Sequence, residues 1–78
     1  MAKIDITKIK SPVLKNIGDK VRYYREKRGY NRDQFAIAAD LSKHYLYRLE
    51  YGNISPGILQ LKRIADFLGV KVKDLIDF

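Results

Sequence analysis

The chain has 78 residues, with 16 Lys and Arg against 9 Asp and Glu for a formal charge of +7, 46% apolar and 32% charged residues, one His and no Cys. That length holds one small domain with a core contributing only ~3–5 kcal/mol, and the lack of Cys excludes disulfides and thiolate metal sites and fits a reducing, cytosolic setting. No apolar run approaches the ~20 residues of a membrane span, the stretch Met1 to Asp5 lacks the apolar block of a signal peptide, and the positive excess favours a polyanionic partner, either nucleic acid or an anionic membrane surface.

Residues 1–10 alternate Lys3, Ile4, Asp5, Ile6, Thr7, Lys8, Ile9 and Lys10. A lone strand has nothing to pair with in a helical chain, so this segment is expected to be a flexible or short extended arm preceding a domain over 11–78. Ser11-Pro12 joins a hydroxyl cap to a proline at the first helical position. Val13, Ile17, Val21 and Tyr24 then share one helical face, although Gly18 weakens the run by ~1 kcal/mol and would allow a start only near Asn16. Gly29 stops this helix after the basic turn Arg25-Glu26-Lys27-Arg28. Asn31 and Gln34 form a capping box for a second, short helix with Phe35, Ala36 and Ala39 inside. Ser42 caps a third, to about Tyr51, with Tyr45, Leu46 and Leu49 inward and Gly52 beyond its end. Ser55-Pro56 repeats the cap-then-proline signal before a fourth helix with Ile58, Leu61, Ile64, Ala65 and Leu68 inside. Gly69 ends that helix, and Val70, Val72, Leu75 and Ile76 complete a short fifth. The fold class is all-α: five helices in one compact domain.

Two short helices joined by a tight turn, the second with an unused polar face, have the geometry of a helix-turn-helix. Small Ala36 sits where the two helices approach. Asp40 falls at the bend, where a positive φ is needed and Asp is among the few non-glycine residues to tolerate it.

The order of motifs is Ile17-Gly18-Asp19-Lys20-Val21, Arg25-Glu26-Lys27-Arg28-Gly29-Tyr30-Asn31, Gln34-Phe35-Ala36, Leu41-Ser42-Lys43, Leu49-Glu50-Tyr51-Gly52, Pro56 and Leu68-Gly69-Val70. Residues 17–76 thereby resemble the Cro/phage-repressor type of helix-turn-helix domain, the Xre-like family, without gaps over about three-quarters of the chain. Each motif is weak alone; together, in this order, they are specific. The resemblance implies a lambda-repressor-like fold and sequence-specific binding of double-stranded DNA by a small bacterial, phage or plasmid regulator, expected to be a repressor. It places a recognition helix at about 42–51 in the major groove. Three departures stand out: Asp40 replaces the usual turn glycine, Arg32 stands where Gln is frequent, and Lys71 replaces the usual Ser/Thr cap, so the last helix is expected to fray.

By resemblance, Lys43, His44, Tyr47 and Arg48 occupy the positions that read base edges. Their chemistry agrees: Lys43 and Arg48 can donate to guanine, His44 can donate or accept, and Tyr47 can meet a thymine methyl or donate to a phosphate. Arg48 is equally suited to a phosphate. Backbone contacts are expected from Arg32, from Ser42 and, more weakly, from Asn53, with the arm's Lys3, Lys8 and Lys10 as non-specific additions. The family pairs an Arg late in the first helix with a Glu ending the recognition helix, here Arg25 and Glu50, as a structural ion pair. Charge is concentrated early: residues 1–32 hold ten Lys and Arg against three Asp and Glu, a net +7.

One His and no Cys leave no metal site, no nucleophile-base-acid triad and no cofactor motif, which argues against catalysis. Two other classes compete with DNA binding. An antitoxin-like module of the same fold would bind a toxin or regulatory protein, and Ile37 and Ala38, where the family prefers charge, suggest it. A basic amphipathic membrane-surface protein is disfavoured by the glycine and cap punctuation. Leu75, Ile76 and Phe78 exceed what one core easily covers and suggest a homodimer through the fifth helix. With no sensor domain expected after Phe78, control would come from concentration or a partner.

Overall fold

Ser11 opens the first helix, its hydroxyl accepting the Leu14 N–H at 3.3 Å with Pro12 at the first helical position. In the computed structural model, which describes residues 11–76, five helices follow: α1 (Pro12–Lys27), α2 (Arg32–Ala38), α3 (Lys43–Glu50), α4 (Ile58–Leu68) and α5 (Val72–Leu75). The proposed arm, residues 1–10, and Phe78 lie outside the described residues. No strand occurs among those described.

The start of α1 corrects one expectation. The helix does not wait until Asn16, and Gly18 has a packing role. A Cβ there would lie 2.6 Å from the Glu50 carbonyl oxygen and collide with that of Leu49. Hydrogen at this position is what lets α1 cross the end of α3 closely. The inner face also shifts by one residue: Val13 is exposed and Leu14 packs against the core instead.

The Asn31–Gln34 capping box is formed in both directions, at 2.7 and 2.9 Å. Phe35, Ala36 and Ala39 are buried, and with Ile17, Val21, Leu46, Leu49, Leu61, Ile64, Ala65, Leu68 and Leu75 they make the core. Fully burying a side chain such as Phe35 contributes roughly 1.5–3 kcal/mol. α1 packs mainly on α3 and α5, and α2 on α3.

Two ends differ from expectation. Ser55-Pro56 does not start α4. Gly57 is its N-cap, without a side-chain cap, and Ile58 is exposed rather than inward. Half-buried Ile54 holds the preceding segment against the core, so the chain turns helical only once Leu61 and Ile64 can face inward. α5 has one side-chain cap bond: the Asp74 carboxylate accepts the Lys71 N–H at 2.9 Å, replacing the bond a Ser or Thr would make from the other direction. Leu75 is fully buried and Ile76 half-buried, so the single core covers more of this end than expected.

Arg28 ties the two ends together. Its Nε–H donates to the Leu68 carbonyl at 2.8 Å, satisfying one of the otherwise unpaired carbonyls at the end of α4.

Candidate nucleic-acid interface

Between α2 and α3 the chain bends at Asp40, which has φ 55°, the only non-glycine positive φ among the described residues. The Leu41 N–H donates to the Ala36 carbonyl at 2.8 Å and closes the turn. Ser42 then caps α3, its hydroxyl accepting the Tyr45 N–H at 2.9 Å. This turn fixes the rotation of α3. Leu46 and Leu49 go into the core, while Ser42, Lys43, His44, Tyr47 and Arg48 are exposed together. Tyr45 is half-buried, and that burial pushes its phenol above its ordinary value.

The C-terminal end of α3 is fastened by charge. Arg25 Nε donates to Glu50 Oε2 at 2.6 Å and Nη2 to Oε1 at 3.0 Å, a two-point contact with the Glu50 side chain 1% exposed. Arg25 Nη1 also donates to the Tyr30 carbonyl at 2.9 Å. The guanidinium thus joins α1, the connection to α2 and the end of α3.

A second guanidinium meets the same carboxylate. Arg32, at the start of α2, places Nε 3.4 Å from Glu50 Oε1, with its side chain 31% exposed. Its guanidinium carbon lies 5.3 Å from the Tyr47 ring centre and 5.7 Å from that of Tyr51. The two tyrosine rings are 4.5 Å apart. Tyr51 was not among the expected contact residues. Its spacing of four from Tyr47 is readable in the sequence and is the signal that places both rings on one side of α3.

Lys43 lies 3.3 Å from the Asp33 carboxylate, an exposed pair bridging α3 and α2. His44 and Arg48 are exposed on α3. Exposed Asn53 donates its N–H to the Arg48 carbonyl at 2.8 Å, in the loop after α3. Arg63 of α4 reaches Asp40 at 3.4 Å, on the outside of the bend.

Comparison with known proteins agrees with this geometry. A family model described as helix-turn-helix matches residues 21–75. The HTH-type transcriptional regulator SlrR of Bacillus subtilis is 36% identical over 62 residues, which span 78% of this chain and 41% of SlrR. Control protein C.BamHI of Bacillus amyloliquefaciens is 34% identical over 62 residues, 78% of this chain and 76% of that protein. The crystal structure of SinR, described as the master regulator for biofilm formation in complex with DNA, matches with a TM-score of 0.74 at 32% identity. That match covers 78% of this chain and 98% of the SinR chain in the crystal, whereas sequence comparison spans 56% of full SinR. The chain therefore covers about half of the SlrR and SinR lengths. The clp gene regulator ClgR of Corynebacterium glutamicum shares the fold, with a TM-score of 0.81 at 24% identity over 90% of both chains.

Proposed function

Because this chain belongs to the Cro/C1-type, Xre-like helix-turn-helix family of transcription regulators, we propose that it binds double-stranded DNA sequence-specifically, with α3 in the major groove, and represses transcription. One observation carries the reading: α3 is fastened along one side by Leu46, Leu49 and the Arg25–Glu50 contact, while Lys43, His44 and Arg48 stand exposed on the other. A rigid helix with a free polar face is what groove readout requires. Lys43 and His44 face base edges; Arg48 reads a base or holds a phosphate; Tyr47 lies beside them. Arg32, Ser42 and Asn53 hold the backbone. A second copy binds through the α5 end, with half-sites one helical turn, about 10 base pairs, apart. The SinR structure, described as a complex with DNA, supports the DNA-binding reading by likeness.

The test is selection of bound duplexes from a random pool. Convergence on a single motif, competed poorly by unrelated DNA, supports the reading. A pool that never departs from its starting composition overturns it. A second reading, an antitoxin-like module that binds a protein partner, has one observation in its favour: Ile37, on the outside of α2, is 77% exposed. Loss of a defined complex on Ile37→Lys, with DNA binding retained, would support that role.

A further inference from the structure

We infer that Tyr47 and Tyr51 form an aromatic clamp that positions the Arg32 guanidinium for a DNA phosphate, which makes Tyr51 a positioning residue of the interface. The inference rests on the DNA-binding reading above. Three observations lead to it. First, Arg32 lies within 6 Å of both ring centres, at 5.3 and 5.7 Å, the range in which a guanidinium is attracted to the ring face. Second, the rings are 4.5 Å apart and tilted by 36°, so they support one another as a continuous wall one helical turn long. Third, Glu50 is already engaged on both oxygens by Arg25, at 2.6 and 3.0 Å, while Arg32 reaches it at only 3.4 Å.

One carboxylate cannot balance two guanidiniums, and Arg25 takes the shorter contacts. The charge of Arg32 is left over at a partly exposed position, restrained by the rings and by one long hydrogen bond. Arginine carries five N–H donors in a planar fork, and Glu50 takes only the Nε–H. The four terminal N–H donors suit the oxygens of a phosphate. An unrestrained arginine would have to be ordered on binding. The clamp orders it beforehand, and preorganisation of this kind is expressed directly in affinity. Tyr47 then has its ring shared with Arg32, so its contribution to the choice of base is secondary to its support of the guanidinium.

The experiment measures affinity for one duplex selected by the wild-type protein and one random duplex, over a range of KCl concentrations. Tyr51→Leu should weaken both by a similar factor, about threefold to tenfold. Tyr51→Phe should retain most of the affinity, because the ring and not the hydroxyl makes the clamp. In an Arg32→Ala background, Tyr51→Leu should cost less than about twofold, since the group it positions is gone. In the free protein, the Arg32 Nε–H proton resonance should lie upfield from ring currents and move back in Tyr51→Leu. Equal losses for Tyr51→Leu with and without Arg32, or a Tyr51→Phe variant as weak as Tyr51→Leu, would overturn the clamp. So would an Arg32 resonance unmoved by Tyr51→Leu in a protein that still binds its duplex. A wild-type protein that binds no duplex, while the resonance does shift, overturns the DNA reading and with it the phosphate role, though the ring contact stands.

Discussion

At the scale of single residues, the proposed interface divides into groups that choose and groups that hold. Lys43 stands at the exposed start of α3 and Arg32 lies beside the tyrosine wall. A good base contact discriminates by ~1–3 kcal/mol, whereas a phosphate contact carries no sequence information. Lys43→Ala should therefore weaken the selected duplex much more than random DNA and flatten the preference at one base pair. Arg32→Ala should weaken both alike and make the salt dependence shallower by about one unit, because one fewer counterion is released. A salt titration of both variants on both duplexes checks this; a changed base preference in Arg32→Ala, with Lys43→Ala unchanged, would misplace α3. The outward positions of α3 were legible in the sequence because helical periodicity assigns faces locally. The Arg32–Glu50 contact was not, since it joins residues 18 apart through the angle between two helices. Nor was the Lys43–Asp33 pair, which puts a carboxylate beside a proposed base-reading group.

At the scale of elements, the caps were legible because their chemistry is local. Ser11, Asn31 and Ser42 each accept the N–H three residues on. Ser55-Pro56 carries the same local signal, yet tertiary packing of Ile54 and Leu61 overrides it and delays α4 to Ile58. Gly18 likewise misled: helix propensity counts its missing side chain as a weakness, while the crossing of α1 and α3 requires that absence. The Arg25–Glu50 contact is a buried ion pair that joins α1 to the end of α3. Breaking a buried pair costs ~3–5 kcal/mol, and for a domain of this size each kcal/mol moves the melting temperature by roughly 4–8 °C. Arg25→Ala should then melt at least about 12 °C below wild type. Lys27→Ala, two residues on and exposed, should stay within about 4 °C, as surface changes alter stability by only ~0.5 kcal/mol. Equal shifts in differential scanning calorimetry would count against the pair. Asp40 offers a test of opposite sign. A non-glycine residue at φ 55° costs roughly 1–2 kcal/mol, and its exposed contact to Arg63 returns at most ~1. Asp40→Gly should raise the melting temperature by a few degrees; a lowered value would mean that the Arg63 contact outweighs the strain.

At the scale of the whole molecule, the proposed dimer must be smaller than the apolar residues of the C-terminal end suggested. Leu75 is sealed against α1 and α4, leaving Val70, Val72 and Ile76 half-buried at that end of the described chain. Self-association should therefore be weak in solution and appear mainly on DNA carrying two half-sites. Sedimentation should give a monomer mass at micromolar concentration and two copies on a duplex with half-sites about 10 base pairs apart. Displacing one half-site by five base pairs, half a helical turn, should remove the second copy's advantage; binding indifferent to spacing would argue for independent monomers. The fastening of α3 along its inner side has a further meaning for how such a protein changes over generations. The residues that keep the helix in place, Leu46, Leu49, Arg25 and Glu50, are not those proposed to face the bases. Exchanging Lys43, His44 or Arg48 disturbs no buried contact, so each exchange costs the fold ~0.5 kcal/mol or less. The scaffold can thus be re-addressed to a new operator one exposed residue at a time, each intermediate remaining folded, with Tyr47 the exposed position on α3 where a new address would also loosen the grip on Arg32.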